Sequence, residues 1–308
     1  MREAYHEPVM PGEAMTFLDV KPGQWYIDAT LGGGGHSRKI LEQGGKVIGI
    51  DCDQEAIDYV GETLQEKKTQ REWQDQETGI GIREYSDIFL VRGNFRHLGK
   101  IVELCQIEKI SGVLFDLGVS SRQLEKADRG FSFQREGPLD MRMDTSLGVT
   151  AADLVNNLSQ KELYALFQKF GQDPNSWRVA GSIFRQRRIK PFATTKELSR
   201  LIEQVVPRRG KIHPATRIFQ ALRMAVNTEL ENIQTGLEQA YETMEQNGRL
   251  VVISFHSGED RVVKHFIEQQ QELKTMITLT KKPVQPTTNE QERNPRSRSA
   301  KLRAAMKV

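Results

Sequence analysis

The chain is short of cysteine, of long apolar runs and of aromatic residues, and each shortage removes a class of protein. Its two cysteines, Cys52 and Cys105, form no C-x-x-C pair, which leaves neither a disulfide framework nor a zinc site and points to a reducing, cytoplasmic setting with no bound metal. No apolar run approaches the ~20 residues of a membrane span, and the opening Met1-Arg-Glu-Ala-Tyr-His-Glu lacks the apolar core of a secretory signal. A hydrophobic content of 37% and a mean hydropathy of −0.55 describe a soluble protein with a polar surface and no membrane contact. At 308 residues the chain exceeds one average domain, so a large domain with an insertion, or two domains, is expected.

Two nucleotide fingerprints are missing as well. In the run Asp28-Ala-Thr-Leu-Gly-Gly-Gly-Gly-His36 no register gives G-x-G-x-x-G, because Ser37, Arg38 or His36 stands where a glycine is needed. No glycine-lysine pair is followed by Ser or Thr, so a Walker loop is excluded too.

The glycine run itself is the strongest feature present. Residues 25–29 read as a strand, the glycines as a turn that lets backbone N–H groups approach a ligand, and residues 37–43 as a helix. A second strand over 47–50 ends on Asp51, where a carboxylate can accept hydrogen bonds from both hydroxyls of a ribose. A cofactor with a ribose and little or no phosphate remains, and S-adenosylmethionine fits; a flexible surface turn is the plain alternative.

The alternation continues with a helix over 54–65, a strand over 88–91, a stretch of helix over 101–105 and a strand over 113–116, which predicts a parallel, doubly wound α/β sheet. Residues 67–85 are polar and read as a surface excursion with little chemistry. From 123 to 212 no apolar strand appears, while 151–157, 160–169, 177–187 and 195–206 carry helical spacing, so this span reads as a helical insertion. The expected organisation is a first α/β segment over 1–122, the insertion over 123–212 as a substrate-recognition domain, and a second α/β segment over 213–308. Within 213–308 a single long helical stretch covers 215–245, a strand follows over 248–255, a helix over 259–271, a loop over 282–294, and 299–308 reads as an antiparallel edge strand.

A net charge of +3 is mild, but its distribution is not. From Arg178 to Arg223 stand twelve basic residues against two acids, Glu197 and Glu203, and a second basic stretch holds Arg293, Arg296, Arg298, Lys301 and Arg303. Such clustering suits the phosphates of a nucleic acid; a solvated helix face is the alternative. Arg187, Arg188, Lys190 and Arg217 are the RNA-binding candidates.

Asp116 closes the fourth strand, beyond whose carboxyl end ligands of open α/β sheets bind. It is read as a hold for the adenine or the cofactor amino group, as an acceptor for a substrate amine, or as a helix N-cap. Asp140, in Gly137-Pro-Leu-Asp-Met-Arg-Met-Asp144, belongs either to an ion-paired loop or to the substrate pocket. His256, in Ser254-Phe-His-Ser257, is a candidate proton acceptor whose plain reading is structural.

These motifs, with His6-Glu-Pro-Val-Met10, Arg129-Gly-Phe-Ser-Phe133, His213-Pro-Ala-Thr-Arg217 and Asn294-Pro-Arg-Ser-Arg-Ser-Ala-Lys-Leu-Arg303, resemble the MraW family of bacterial small-subunit ribosomal RNA methyltransferases nearly end to end. The resemblance implies a class I S-adenosylmethionine-dependent methyltransferase fold carrying an inserted helical domain. It also implies methylation of the exocyclic amine of one cytidine in the decoding region of 16S rRNA, giving N(4)-methylcytidine, with the rRNA met within the small subunit. The family's cofactor contacts fall on Gly34, Gly35, His36, Asp51, Phe95, Asp116 and Gln123. Departures are Gly258, where the family has leucine, which would loosen a helix start, and residues 170–177, which differ from the usual acidic glycine turn. The Leu117 carbonyl, Asp140 and His256 remain candidates for the acceptor of the amine proton, and the oligomeric state stays open between monomer and homodimer. A small-molecule methyltransferase and a non-catalytic RNA-binding assembly factor are the alternatives; clustered Arg and Lys disfavour the first, the intact cofactor set the second.

Overall fold

The computed structural model describes residues 7–64, 70–120, 123–124, 126–207 and 213–308. The chain folds as two compact units, one made of Met1–Gly118 with Leu230–Val308, the other of Val119–Glu229. In the first unit the order is α1 (Pro11–Leu18), β1 (Trp25–Asp28), α2 (Gly35–Glu42), β2 (Lys46–Asp51), α3 (Gln54–Thr63), β3 (Arg71–Gln74), β4 (Gly81–Glu84), β5 (Ile88–Arg92), α4 (Leu98–Leu104) and β6 (Ile110–Asp116). The second unit carries α5 (Ala151–Asn157), α6 (Gln160–Leu166), α7 (Ser176–Gln186), α8 (Thr195–Val205) and α9 (Thr216–Val226). The chain then continues through α10 (Glu229–Thr243), β7 (Met244–Ser254), α11 (Ser257–Glu272), β8 (Met276–Thr278), α12 (Thr288–Arg293) and β9 (Lys301–Lys307).

Among the described residues nine strands lie in the order β3-β4-β5-β2-β1-β6-β7-β9-β8. From β5 to β7 every pairing is parallel, and β9 runs antiparallel to both β7 and β8. Setting aside β3 and β4, this is the arrangement of a class I methyltransferase, with the order reversing between β1 and β6. Both faces of the sheet are covered, which is why the strands are apolar runs rather than half-polar ones. Along β2 the side chains alternate, Val47 entering one buried cluster with Tyr26, Leu90 and Leu114, Ile48 and Ile50 entering the other with Ile27, Val113 and Phe115.

The structure departs from the sequence pattern at several places. The polar residues at 67–85 are not a surface excursion; outside 65–69, which lie beyond the described residues, they build β3 and β4, a hairpin that pairs antiparallel onto β5. The last strand is not at an edge, because β9 is inserted between β7 and β8. The stretch 215–245 is broken: Asn227 ends α9 and Thr228 takes a left-handed φ of 47°. The Asn227 side chain donates to the Met141 carbonyl at 2.8 Å and accepts from the Met143 N–H at 2.7 Å, which ties the helix end to the 141–143 segment.

The second unit also runs further than 123–212. Helix α9 buries Ile218, Phe219 and Leu222 in one cluster with Leu163, Phe167, Val179, Ile183 and Leu198. Three of its helices begin with capping boxes, Thr150 with Asp153, Ser159 with Glu162 and Thr194 with Glu197. After α6 the departure at 170–177 opens with a π-helical turn over Phe167–Gly171. Among the described residues no helix is long and apolar enough to cross a membrane.

Candidate active site

At the carboxyl ends of β1, β2 and β6, backbone and carboxylates interlock. Asp51 accepts the Gly32 N–H on Oδ2 and the Asp53 N–H on Oδ1, each at 2.9 Å, so the end of β2 is tied to the glycine turn. Burial pushes this carboxyl up to about 6 against those two bonds. Asp28, fully buried at the end of β1, accepts from Ser37 Oγ at 2.7 Å and from the Thr30 N–H at 3.3 Å, and burial raises its pKa as well. Thr30 in turn accepts the Asp116 N–H at 2.6 Å.

Asp116 is the outlier. Its Oδ1 is buried and accepts no hydrogen bond, while Oδ2 lies 3.8 Å from His36 Nδ1. Burial, opposed by His36 and reinforced by Asp28, Glu259 and Glu290, pushes it up to about 7. His36 Nε2 is 3.0 Å from the Val9 carbonyl, which can only accept, so the hydrogen sits on Nε2 and Nδ1 faces Asp116 with its lone pair when the ring is neutral. The ends of these strands thus gather carboxylates, which repel phosphate and attract a cation.

The glycines have specific reasons. Gly34 sits at φ +72°, and a Cβ at Gly35 would lie 2.9 Å from three atoms of the Pro8 ring. A strap from the N-terminal segment therefore packs on the turn. It is fastened by Glu290 of α12, whose Oε1 accepts the Met10 N–H at 2.7 Å. Nothing in the sequence assigns this strap a role, and the polar character of 282–294 reads as a loop where Glu290 stands in a helix. The periodicity of six helical residues is too brief to be visible. His6, at the start of the strap motif, lies outside the described residues.

Phe95 follows β5 and meets Phe115 edge to face at 5.5 Å between centroids, with Gly236 of α10 leaving room for its ring. Gly34, Gly35, His36, Asp51, Phe95 and Asp116 thus all stand at one end of the first unit's sheet. Gln123 belongs to the second unit, where its Oε1 accepts the Ser120 N–H at 3.1 Å.

Asp140 and His256 are held in structural bonds. Burial raises Asp140, but Arg142 outweighs it, donating to both carboxylate oxygens at 2.8 Å and holding the carboxyl below its ordinary value. A lowered pKa makes a weaker base. His256 caps α11, its Nδ1 accepting the Gly258 and Glu259 N–H groups at 3.2 and 3.3 Å. The helix starts at Ser257 in spite of Gly258.

The basic candidates divide. Arg187 is turned inward, donating to the Val155 and Leu158 carbonyls at 2.8 and 2.6 Å, with its guanidinium over the Phe184 ring. Lys190 is exposed and paired to Glu197. Arg217 is exposed and reaches the Gln172 carbonyl, and Arg188 is exposed. Arg208, Arg209 and Lys211 lie outside the described residues.

The model of the MraW methylase family matches residues 3–308. The chain belongs to the MraW methylase family. Among MraW relatives it is 44% identical to the ribosomal RNA small subunit methyltransferase H of Thermomicrobium roseum, covering 98% of this chain and 94% of that one. It is 43% identical to the protein of the same name from a Sulfurihydrogenibium species, over 98% and 99%. Of solved structures, an rRNA methylase from Streptococcus thermophilus is similar with a TM-score of 0.44 and 12% identity, over 96% of this chain and 95% of that one.

Proposed function

We propose that this protein uses S-adenosylmethionine to methylate the exocyclic amine of one cytidine in the decoding region of 16S rRNA, giving N(4)-methylcytidine. Membership of the MraW methylase family and the names of its relatives support the methylation of small-subunit rRNA. The observation that carries the cofactor is Asp116, a half-buried carboxylate whose buried Oδ1 accepts nothing, set among further carboxylates at the sheet's switch point. That setting suits a ligand with an ammonium and a sulfonium and no phosphate.

When bound, S-adenosylmethionine supplies a methyl group on a sulfonium, a strong electrophile with a neutral leaving group. Asp51 is the acceptor for the ribose hydroxyls, its plane fixed by the Gly32 and Asp53 N–H groups. Asp116 Oδ1 accepts from a donor of the cofactor, and Gly34 and Gly35 keep side chains out of the turn beside it. Phe95, braced by Phe115, is the remaining cofactor contact that the resemblance implies on the first unit. A cytosine amine is a weak nucleophile because its lone pair is delocalised, so the protein's main contribution is alignment, which removes several kcal/mol of entropic barrier. The exposed basic residues of the second unit hold RNA phosphates.

Tritium transfer from labelled S-adenosylmethionine to isolated small subunits, to free 16S rRNA and to small amines tests the reading. Label in ribosomal RNA is expected. Label only in small molecules, or none with cofactor bound, overturns it.

A further inference from the structure

On the second unit, α6 and α7 lie side by side and present a stripe that the core does not use. Tyr164 and Trp177 are 38% and 52% exposed, large for aromatic rings on a folded surface. They meet edge to face with centroids 5.3 Å apart. One helical turn along both helices, a Cβ at Gly181 would lie 2.9 Å from Gln160 Nε2 and 3.4 Å from Arg185 Nη1. Trp177, Gly181 and Arg185 are spaced i, i+4, i+8, and Gln160 and Tyr164 are i, i+4, so all lie on one face, roughly 12 Å long.

We infer that this stripe binds an unpaired stretch of RNA, with bases stacking on Tyr164 and Trp177, Gln160 meeting a base edge and Arg185 a phosphate. The inference rests on the reading of the protein as an RNA methyltransferase and adds how the substrate is gripped. Exposed rings accept any base face, and a guanidinium within a turn supplies the backbone contact, the combination by which single strands are held. The charge around the rings has the right sign. Lys161 and Arg178, the exposed neighbours of Gln160 and Trp177, add to Arg185. Of the acids nearby, Glu162 is committed to the start of α6, accepting the Ser159 N–H at 2.7 Å, and Asp173 is buried before α7, accepting the Asn175 N–H at 2.7 Å. A protein partner would find two rings rimmed by cations; an acidic peptide is the occupant the test must separate.

The chain contains three tryptophans. With Trp25→Phe and Trp73→Phe, Trp177 becomes the sole tryptophan and reports directly on the stripe. A single-stranded oligomer of uridine and cytidine should quench its emission saturably, whereas a duplex of equal length should bind without quenching. In the otherwise native chain, Trp177→Ala should weaken single-strand binding roughly tenfold while leaving the salt slope unchanged, and Tyr164→Ala should act in the same direction. Unmoved emission together with unchanged affinity in both alanine variants would overturn the inference, as would quenching by polyglutamate but not by RNA. Tritium transfer by the unmodified protein reports separately on the methyltransferase reading, so the two can fail independently.

Discussion

A buried carboxylate oxygen without a partner destabilises the chain that carries it, and Asp116 Oδ1 is such an atom. Its pKa is raised from 3.8 to about 7, and that of Asp51 to about 6. Raised folded-state values mean that these groups favour the folded protein below 3.8 and lose that contribution as pH rises through 6 and 7. The cofactor-free protein should therefore melt at a higher temperature at pH 6 than at pH 8, and Asp116→Asn should flatten the difference. At pH 8 the same substitution should raise the melting temperature by about 2–4 °C while abolishing methyl transfer. Cofactor affinity should run the other way, weakening as acid protonates the two acceptors between pH 7 and 6. Asp51→Ala should remove detectable binding by calorimetry; an unchanged dissociation constant would refute the ribose assignment. Asp51 was legible in the sequence because an acid after an apolar β2 is a local pattern. The orphaned oxygen of Asp116 was not, since it depends on what Thr30, Asp28 and His36 already occupy.

At the scale of elements, the glycine turn works only with its strap. Gly35→Ala puts a methyl group into the Pro8 ring and should raise the KM for cofactor roughly tenfold or more with the fold intact, as circular dichroism would show. On the second unit, Arg187 and Arg188 are neighbours with opposite roles. Arg187→Ala strips two carbonyls at the end of α5 of their donor and should cost about 1–3 kcal/mol of stability in a urea melt. Arg188→Glu, at an exposed position, should leave the melt unchanged and lower the salt slope of RNA binding. In the sequence both count simply as positive charge, because composition does not distinguish a guanidinium facing water from one facing a helix end. The strands β1, β2, β5 and β6 were legible from their apolar runs. The hairpin of β3 and β4 was not, its strands being short and polar at a sheet edge, nor was the break at Thr228, which Asn227 makes through contacts distant in sequence.

At the scale of the molecule, the proposed function assigns the cationic cofactor to an α/β unit with carboxylates gathered at its strand ends, and the anionic polymer to a helical unit with exposed basic and aromatic residues. The place of β9 between β7 and β8 is invisible to local pattern because strand order is set by long-range pairing. The atom that receives the methyl group is the central claim. Small subunits treated with the protein and methyl-deuterated S-adenosylmethionine, then digested to nucleosides and oligonucleotides for mass mapping, identify that atom and its position. The account predicts the label on the exocyclic nitrogen of a single cytidine in the decoding region; label on a ring carbon, on a ribose hydroxyl or on another nucleotide would contradict it.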